Sequence, residues 1–298
     1  ANSMVNKNAR LNTVFHFTAH QTAGDLKRAV GTIEKFKPHV VCIEAAFIPG
    51  EEAHAIERNF EHGIIGYGSP FNVHLARYVR NAQAKLFMLE RYSKDQSAKG
   101  VEKLNAADEL AEEARQHILA GRPKEALETY GKVFEADAEI DALRENHVKK
   151  NISQLQGLLL SNYPELAREK EIRVMIVFGR AHTGIYHHAK REGIKSRIET
   201  EFGPFNPANE LLRKRSFGLV TKPTPLDIAK AALGGLLVDL AIGRGESNFI
   251  KIAGASQKKT RALNLEQFKL IVQRVPKLIG EGKNESEAIS QAIDEVLK

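Results

Sequence analysis

Apolar and polar positions change period several times along this chain. Residues 11–17 (LNTVFHF) place Val14, Phe15 and Phe17 in a short extended run. From Ala23 the apolar positions become Leu26, Val30, Ile33 and Phe36, the one-face spacing of an amphipathic helix. Pro38 stops it, because the residue before a proline is driven out of the helical region. Residues 39–43 (HVVCI) form a second apolar run with Glu44 at its carboxyl end, so the first 44 residues read as strand, helix, strand. Residues 45–84 read as helical around a glycine-rich interruption at 63–70, and 85–89 (KLFML) as a third strand closed by Glu90 and Arg91. The strongest strand signal lies in 172–184 (IRVMIVFGRAHTG). There, 174–178 is apolar without interruption and rich in β-branched residues, the pattern of a strand buried on both faces of a parallel sheet. Residues 185–192 predict a helix closed by Gly193, and 195–201 a further strand.

Between the third and fourth of these strands, residues 93–163 are charged and helical, and the last helix, 140–160, is predicted to pack on the sheet. Residues 121–136 have a tetratricopeptide look, but one copy cannot stack a continuous core, so no repeat array is read. Residues 226–242, 265–279 and 285–297 predict a helical tail. The expected fold is α/β: a mainly parallel central sheet with helices on both faces. The core would occupy 12–215 with a helical insertion at about 93–163, and 216–298 would form a helical layer or subdomain.

Composition narrows the function classes. A chain of 298 residues with 42% hydrophobic content can bury one large or two modest cores. The single cysteine, Cys42, sits inside an apolar run and forms no disulfide framework, which suits a reducing, cytoplasmic compartment. Ala1-Asn2-Ser3 ahead of Met4 read as an expression scar, and the following VNKNARLN lacks the apolar core of a signal peptide. The most apolar later stretch, 231–238, is too short to span a bilayer, so no membrane partner is expected. The net charge of +7 attracts anions, but its basic residues are interleaved with 37 acidic ones and no aromatic–basic platform stands out. No specific nucleic-acid partner is expected.

Four predicted strands end in a residue able to bind a metal or move a proton: His20, Glu44, Glu90 and His182. In open α/β sheets ligands bind outside the carboxyl ends of the strands, where these four would converge. Two imidazoles with carboxylates suit a divalent ion such as manganese, cobalt or zinc, with His20, Glu44 and His182 as ligands and Glu90 as acid/base or further ligand. They equally suit metal-free work, with Glu44 as base and His182 stabilising an oxyanion. Taken singly, Glu44 and Glu90 also read as helix-capping acids, and His182 as a surface-polar loop residue. Arg144 shares a helix with the apolar Val148, Ile152 and Leu155, so it either faces the pocket and pairs with Glu44 or Glu90, or pairs with Glu145 on a solvated face. His16 reads as a core residue and His187 and His188 as surface. There is no nucleophile elbow, phosphate-binding glycine loop, zinc ribbon or HExxH.

Phe17-Thr18-Ala19-His20, VVCIE at 40–44, Leu89-Glu90-Arg91, LRENH at 143–147 with Asn151-Ile152, and Gly179-Arg180-Ala181-His182 together resemble one superfamily. It comprises the TraB pheromone-shutdown proteins, Tiki proteases, erythromycin esterases and ChaN. The resemblance covers roughly residues 12–190, with Phe17 where the family has Gly, Glu90 where TraB proteins have Asp, and His147 where the esterases usually have Met. It implies a two-lobed α/β fold whose pocket is lined by His20, Glu44, Glu90, Arg144 and His182. Tiki members are metal-dependent peptidases, erythromycin esterases hydrolyse a macrolactone, and ChaN binds haem, so the fold alone does not select a chemistry. The leading expectation is an intracellular hydrolase of an ester or amide bond, possessing a divalent metal or not, with Glu44, Glu90 and Arg144 as catalytic residues. The alternative is a non-catalytic ligand-binding or regulatory protein for haem or another anionic ligand. The expected partner is a small-molecule or peptide substrate, with self-association into a homo-oligomer left open.

Overall fold

A computed structural model of the chain describes residues 10–18, 23–65, 69–179, 182–199, 206–216, 219, 222–246 and 248–297. Five strands, β1 (Arg10–Thr18), β2 (Val40–Ile43), β3 (Lys85–Met88), β4 (Glu171–Gly179) and β5 (Lys195–Ile198), form one sheet in the order β3-β2-β4-β1-β5. Every pairing is parallel. The fold class is therefore the α/β arrangement that the alternating periods predict. β1 and β4 pair along nine residues, from Arg10–Glu171 to Thr18–Gly179, while β2 pairs with β4 up to Ile43–Val177 and with β3 up to Ile43–Met88.

Alternate residues of each strand face opposite sides, and both sides are dry. Phe15, Phe17, Val40, Cys42, Val174, Ile176 and Phe178 join one core with the helices α5 (Pro123–Ser153), α6 (Leu155–Asn162) and α7 (Gly184–Arg191). Val14, Val41, Ile43, Met175 and Val177 join the other with α1 (Ala23–Phe36), α2 (Gly50–Glu61) and α3 (Pro70–Asn81). Double-sided burial is why β2 and β4 read as unbroken apolar runs rather than as alternation. The helix expected over 140–160 is broken at Gln154, which ends α5 and begins α6. After the break Leu155, Leu159 and Tyr163 reach the sheet, where the Tyr163 hydroxyl donates to Leu86 O at 2.5 Å.

The chain divides into two compact units, Ala1–Lys99 with Ala142–Glu201, and Gly100–Asp141 with Phe202–Lys298. The second is helical among its described residues: most of α4 (Lys94–Leu119), the first part of α5, α8 (Pro207–Ser216), α9 (Pro225–Gly243), α10 (Phe249–Arg261), α11 (Leu265–Gly280) and α12 (Glu285–Val296). Ile118 and Ala126 from the α4–α5 hairpin share a core with Leu233, Phe268, Val272, Val275, Ile289 and Ile293, so residues 100–141 group with the C-terminal helices. Capping boxes start α9 (Thr224 with Asp227), α11 (Asn264 with Gln267) and α12 (Asn284 with Glu287). Among the described residues, no helix is long and apolar enough to cross a membrane.

Candidate functional site

Strand order decides which loops meet. β4 lies between β2 and β1, and the helix after β1 packs on one face of the sheet while the helix after β4 packs on the other. Neighbouring strands whose connections leave to opposite faces open a crevice at their carboxyl ends, where ligands of such sheets bind. Glu44 follows β2 directly, Glu90 comes two residues after β3 and His182 three residues after β4, so all three stand on that edge. The structure brings Glu44, Glu90, Arg144 and His182 together. His20, the fourth strand-end residue, lies outside the described residues.

Arg144 reaches this edge from α5 and joins the two carboxylates. Its Nε and Nη2 donate to Glu90 Oε1 and Oε2, each at 2.9 Å, and Nη2 also donates to Glu44 Oε1. Glu90 is 0% exposed and accepts two further hydrogen bonds, from Ala45 N at 3.1 Å and the Tyr92 hydroxyl at 3.3 Å. Glu44 is more open, and its second oxygen accepts from Gly179 N at 2.6 Å. Burial works against the Arg144 charge, but the carboxylates of Glu44 and Glu90 outweigh it and hold the guanidinium well above its ordinary range. Burial and then Glu90 push the Tyr92 phenol up, which keeps it protonated as a donor.

His182 is the second centre of the site and is 4% exposed. Its Nε2 lies 3.7 Å from Glu44 Oε1 and its Nδ1 3.6 Å from Glu145 Oε1. Phe178 meets the ring edge-on at a centroid distance of 6.0 Å. Glu145 is itself buried, and Lys149 donates to its other oxygen at 2.8 Å. Burial alone would raise the Glu145 pKa, but His182 and Lys149 overcome that and hold it lowered. Two glycines make room for this packing. A Cβ on Gly179 would stand 3.2 Å from Glu44 Oε2 and 3.4 Å from His182 Cδ2, and one on Gly184 would stand 2.8 Å from Glu145 Oε2. Glycine at both positions of GRAHTG is thus explained by close approach. Among the described residues, Glu44, Glu90 and Glu145 thus stand with Arg144 and Lys149 around His182.

Sequence reasoning missed the part played by Glu145 and Lys149. Their spacing suggested partners for Arg144 on a solvated helix, but Arg144 pairs with Glu44 and Glu90, while Glu145 turns to His182. The available signal was their i,i+4 spacing on the helix that carries Arg144. His147 does not enter the ion network: it stacks on Tyr92 with ring centroids 3.9 Å apart and donates from Nε2 to Arg91 O at 2.5 Å. His16 is a buried residue 3.2 Å from the Thr32 hydroxyl, and His188 sits on the surface 2.9 Å from the Ser153 hydroxyl.

The donor chemistry bears on the expected metal. Both Glu44 oxygens already accept hydrogen bonds, and one of the donors is a guanidinium whose charge opposes a cation at the same oxygen. Among the described residues, no group of three or more His, Cys, Asp or Glu is arranged to hold an ion. Of the expected ligands, the two described ones, Glu44 and His182, do not fit a divalent metal as they stand. Compared with protein-family models, curated proteins and solved structures, the chain finds no match.

Proposed function

We propose that this site hydrolyses an ester or amide bond by metal-free acid–base chemistry, with His182 as the group that moves the proton. The observation that carries the reading is the placement of a buried imidazole between two carboxylates, one at each ring nitrogen. In this mechanism His182 Nε2 takes a proton from water as the oxygen adds to the substrate carbonyl carbon. It then returns that proton to the departing alkoxide or amine. Glu145, pinned by Lys149, orients the ring through Nδ1 and stabilises the imidazolium while it exists. Glu44, held by Arg144 and Gly179 N, presents its oxygen beside Nε2 and positions the water. Glu90 has no access to substrate and four donors on its two oxygens, which suits a positioning role toward Arg144 rather than the acid/base role expected for it.

A receptor without turnover is the competing reading, favoured by the full engagement of Arg144 and Glu90 in their own ion network. The test is hydrolysis of a panel of aryl esters and peptidyl anilides by chelator-treated protein, compared with His182→Ala and Glu44→Gln. We expect turnover without added metal and a fall in kcat of about 10²–10⁴ in His182→Ala, the usual weight of a general base. Activity that requires manganese, cobalt or zinc would support a metal site instead. No turnover, together with a Soret band on adding haem, would support the receptor.

A further inference from the structure

The helical unit holds a cavity of about 370 Å³, within the size range of small-molecule sites. Phe134, Leu212, Ile228 and Leu236 give it apolar walls. Into this chamber come three aspartates from three helices: Asp108 from α4, Asp137 from α5 and Asp239 from α9. No hydrogen bond or ion pair engages any of the three among the described residues. The basic residue of the lining, Arg115, is already held by Glu285 at 2.5 Å and Glu112 at 3.7 Å. Asp108 and Asp239 are exposed, whereas Asp137 is half-buried beside the apolar walls, where loss of water penalises the charged form. A proton partly answers that cost at Asp137, whose pKa burial, Asp141 and Asp108 push up to about 6. Burial also raises Asp239, against the opposing charge of Arg115.

We propose that this cavity binds an organic cation, a protonated amine carried on an apolar group. The apolar walls take the hydrocarbon body, and the aspartates, to which no described residue donates a hydrogen bond, take the ammonium as charge-assisted acceptors. An anion would meet three carboxyls, and a neutral apolar molecule would leave the half-buried Asp137 without a partner. The inference stands apart from the hydrolytic reading, which involves residues of the other unit.

Calorimetry of the full chain at pH 7.5 tests it with three probes. These are 4-phenylbutylammonium, its neutral isostere 4-phenyl-1-butanol, and spermidine, which has charge without an apolar ring. We expect the arylalkylammonium to bind at least about tenfold more tightly than either other probe, a difference of about 1.4 kcal/mol. The double variant Asp137→Asn with Asp239→Asn should lose about tenfold or more of that affinity. Glu266→Gln, at a surface pair with Lys269, should leave it unchanged. The Asn variants remove charge and keep shape, so they test the site without removing the fold, and a thermal melt checks this. Equal binding of the alcohol would reduce the cavity to an apolar hole. Tighter binding of spermidine would reduce it to an acidic surface. Absence of binding by all three probes, or an unchanged double variant, would overturn the proposal.

Discussion

Arg144 shows what a single charge does when it is almost wholly buried. It satisfies two carboxylates that follow different strands, so the ends of β2 and β3 are tied to α5 through one side chain. Arg144→Met keeps the apolar stem but leaves Glu90 buried with neither guanidinium bond. Removing one partner of a buried pair costs about 3–5 kcal/mol, and urea unfolding at pH 7 should read a loss of that size. Unchanged stability would mean that the network does not hold these strand ends. Asp137 presents the opposite case, an acid whose folded pKa of about 6 stands above its ordinary 3.8. Its proton favours the folded state, so its contribution is present below the unfolded pKa and is lost as pH rises toward and through about 6. Around it stand Asp108, Glu112 and Arg115 on α4, Tyr130 and Asp141 on α5, and Asp239 on α9. Asp137→Asn should therefore raise the melting temperature at pH 7.5 by roughly 2–4 °C, the change expected per kcal/mol for a chain of this order of size. At pH 4 it should change little. An equal gain at both pH values would show that the carboxyl is not desolvated.

At the scale of elements, α5 does two jobs along its 31 residues. Its first part lines the cavity with Tyr130, Phe134 and Asp137, and its last part delivers Arg144, Glu145, His147 and Lys149 to the sheet edge. The turn that feeds it depends on Gly121, which has φ +71° and whose missing Cβ would lie 2.9 Å from Pro276 Cγ on α11. Gly121→Ala should cost about 1–2 kcal/mol from the left-handed backbone alone. The proline contact adds to that unless α11 shifts. Circular dichroism during urea unfolding measures the loss, and a stability equal to wild type would mean that the hairpin turn relaxes freely. The strands and several helices were legible, because the strands show a period or a dry run and helices such as α1 a one-face stripe, whereas α8 and α10 carried no expectation. The break at Gln154 was not, since no proline or glycine marks that point.

At the scale of the whole molecule, the order β3-β2-β4-β1-β5 gathers residues far apart in the chain into one site and leaves others out. The sequence by itself determined the parallel α/β class, since dry β-branched runs such as 174–178 alternate with helical periods. It also determined which polar residues stand at strand ends, because a side chain that interrupts an apolar run marks the end of burial: Glu44, Glu90 and His182 were all readable there. Tertiary structure alone decided the partnerships. Glu145 looks like a solvated helix residue until packing of α5 on the sheet turns it toward His182, and Glu90 looks like an available acid until four donors close around it. The cavity was equally hidden, for Asp108, Asp137 and Asp239 lie on separate helices and each alone has the pattern of an ordinary surface acid. Period and charge are local properties written along one chain. Desolvation and pairing depend on which neighbours the fold brings within a few ångströms, and those neighbours are set by strand order and helix packing.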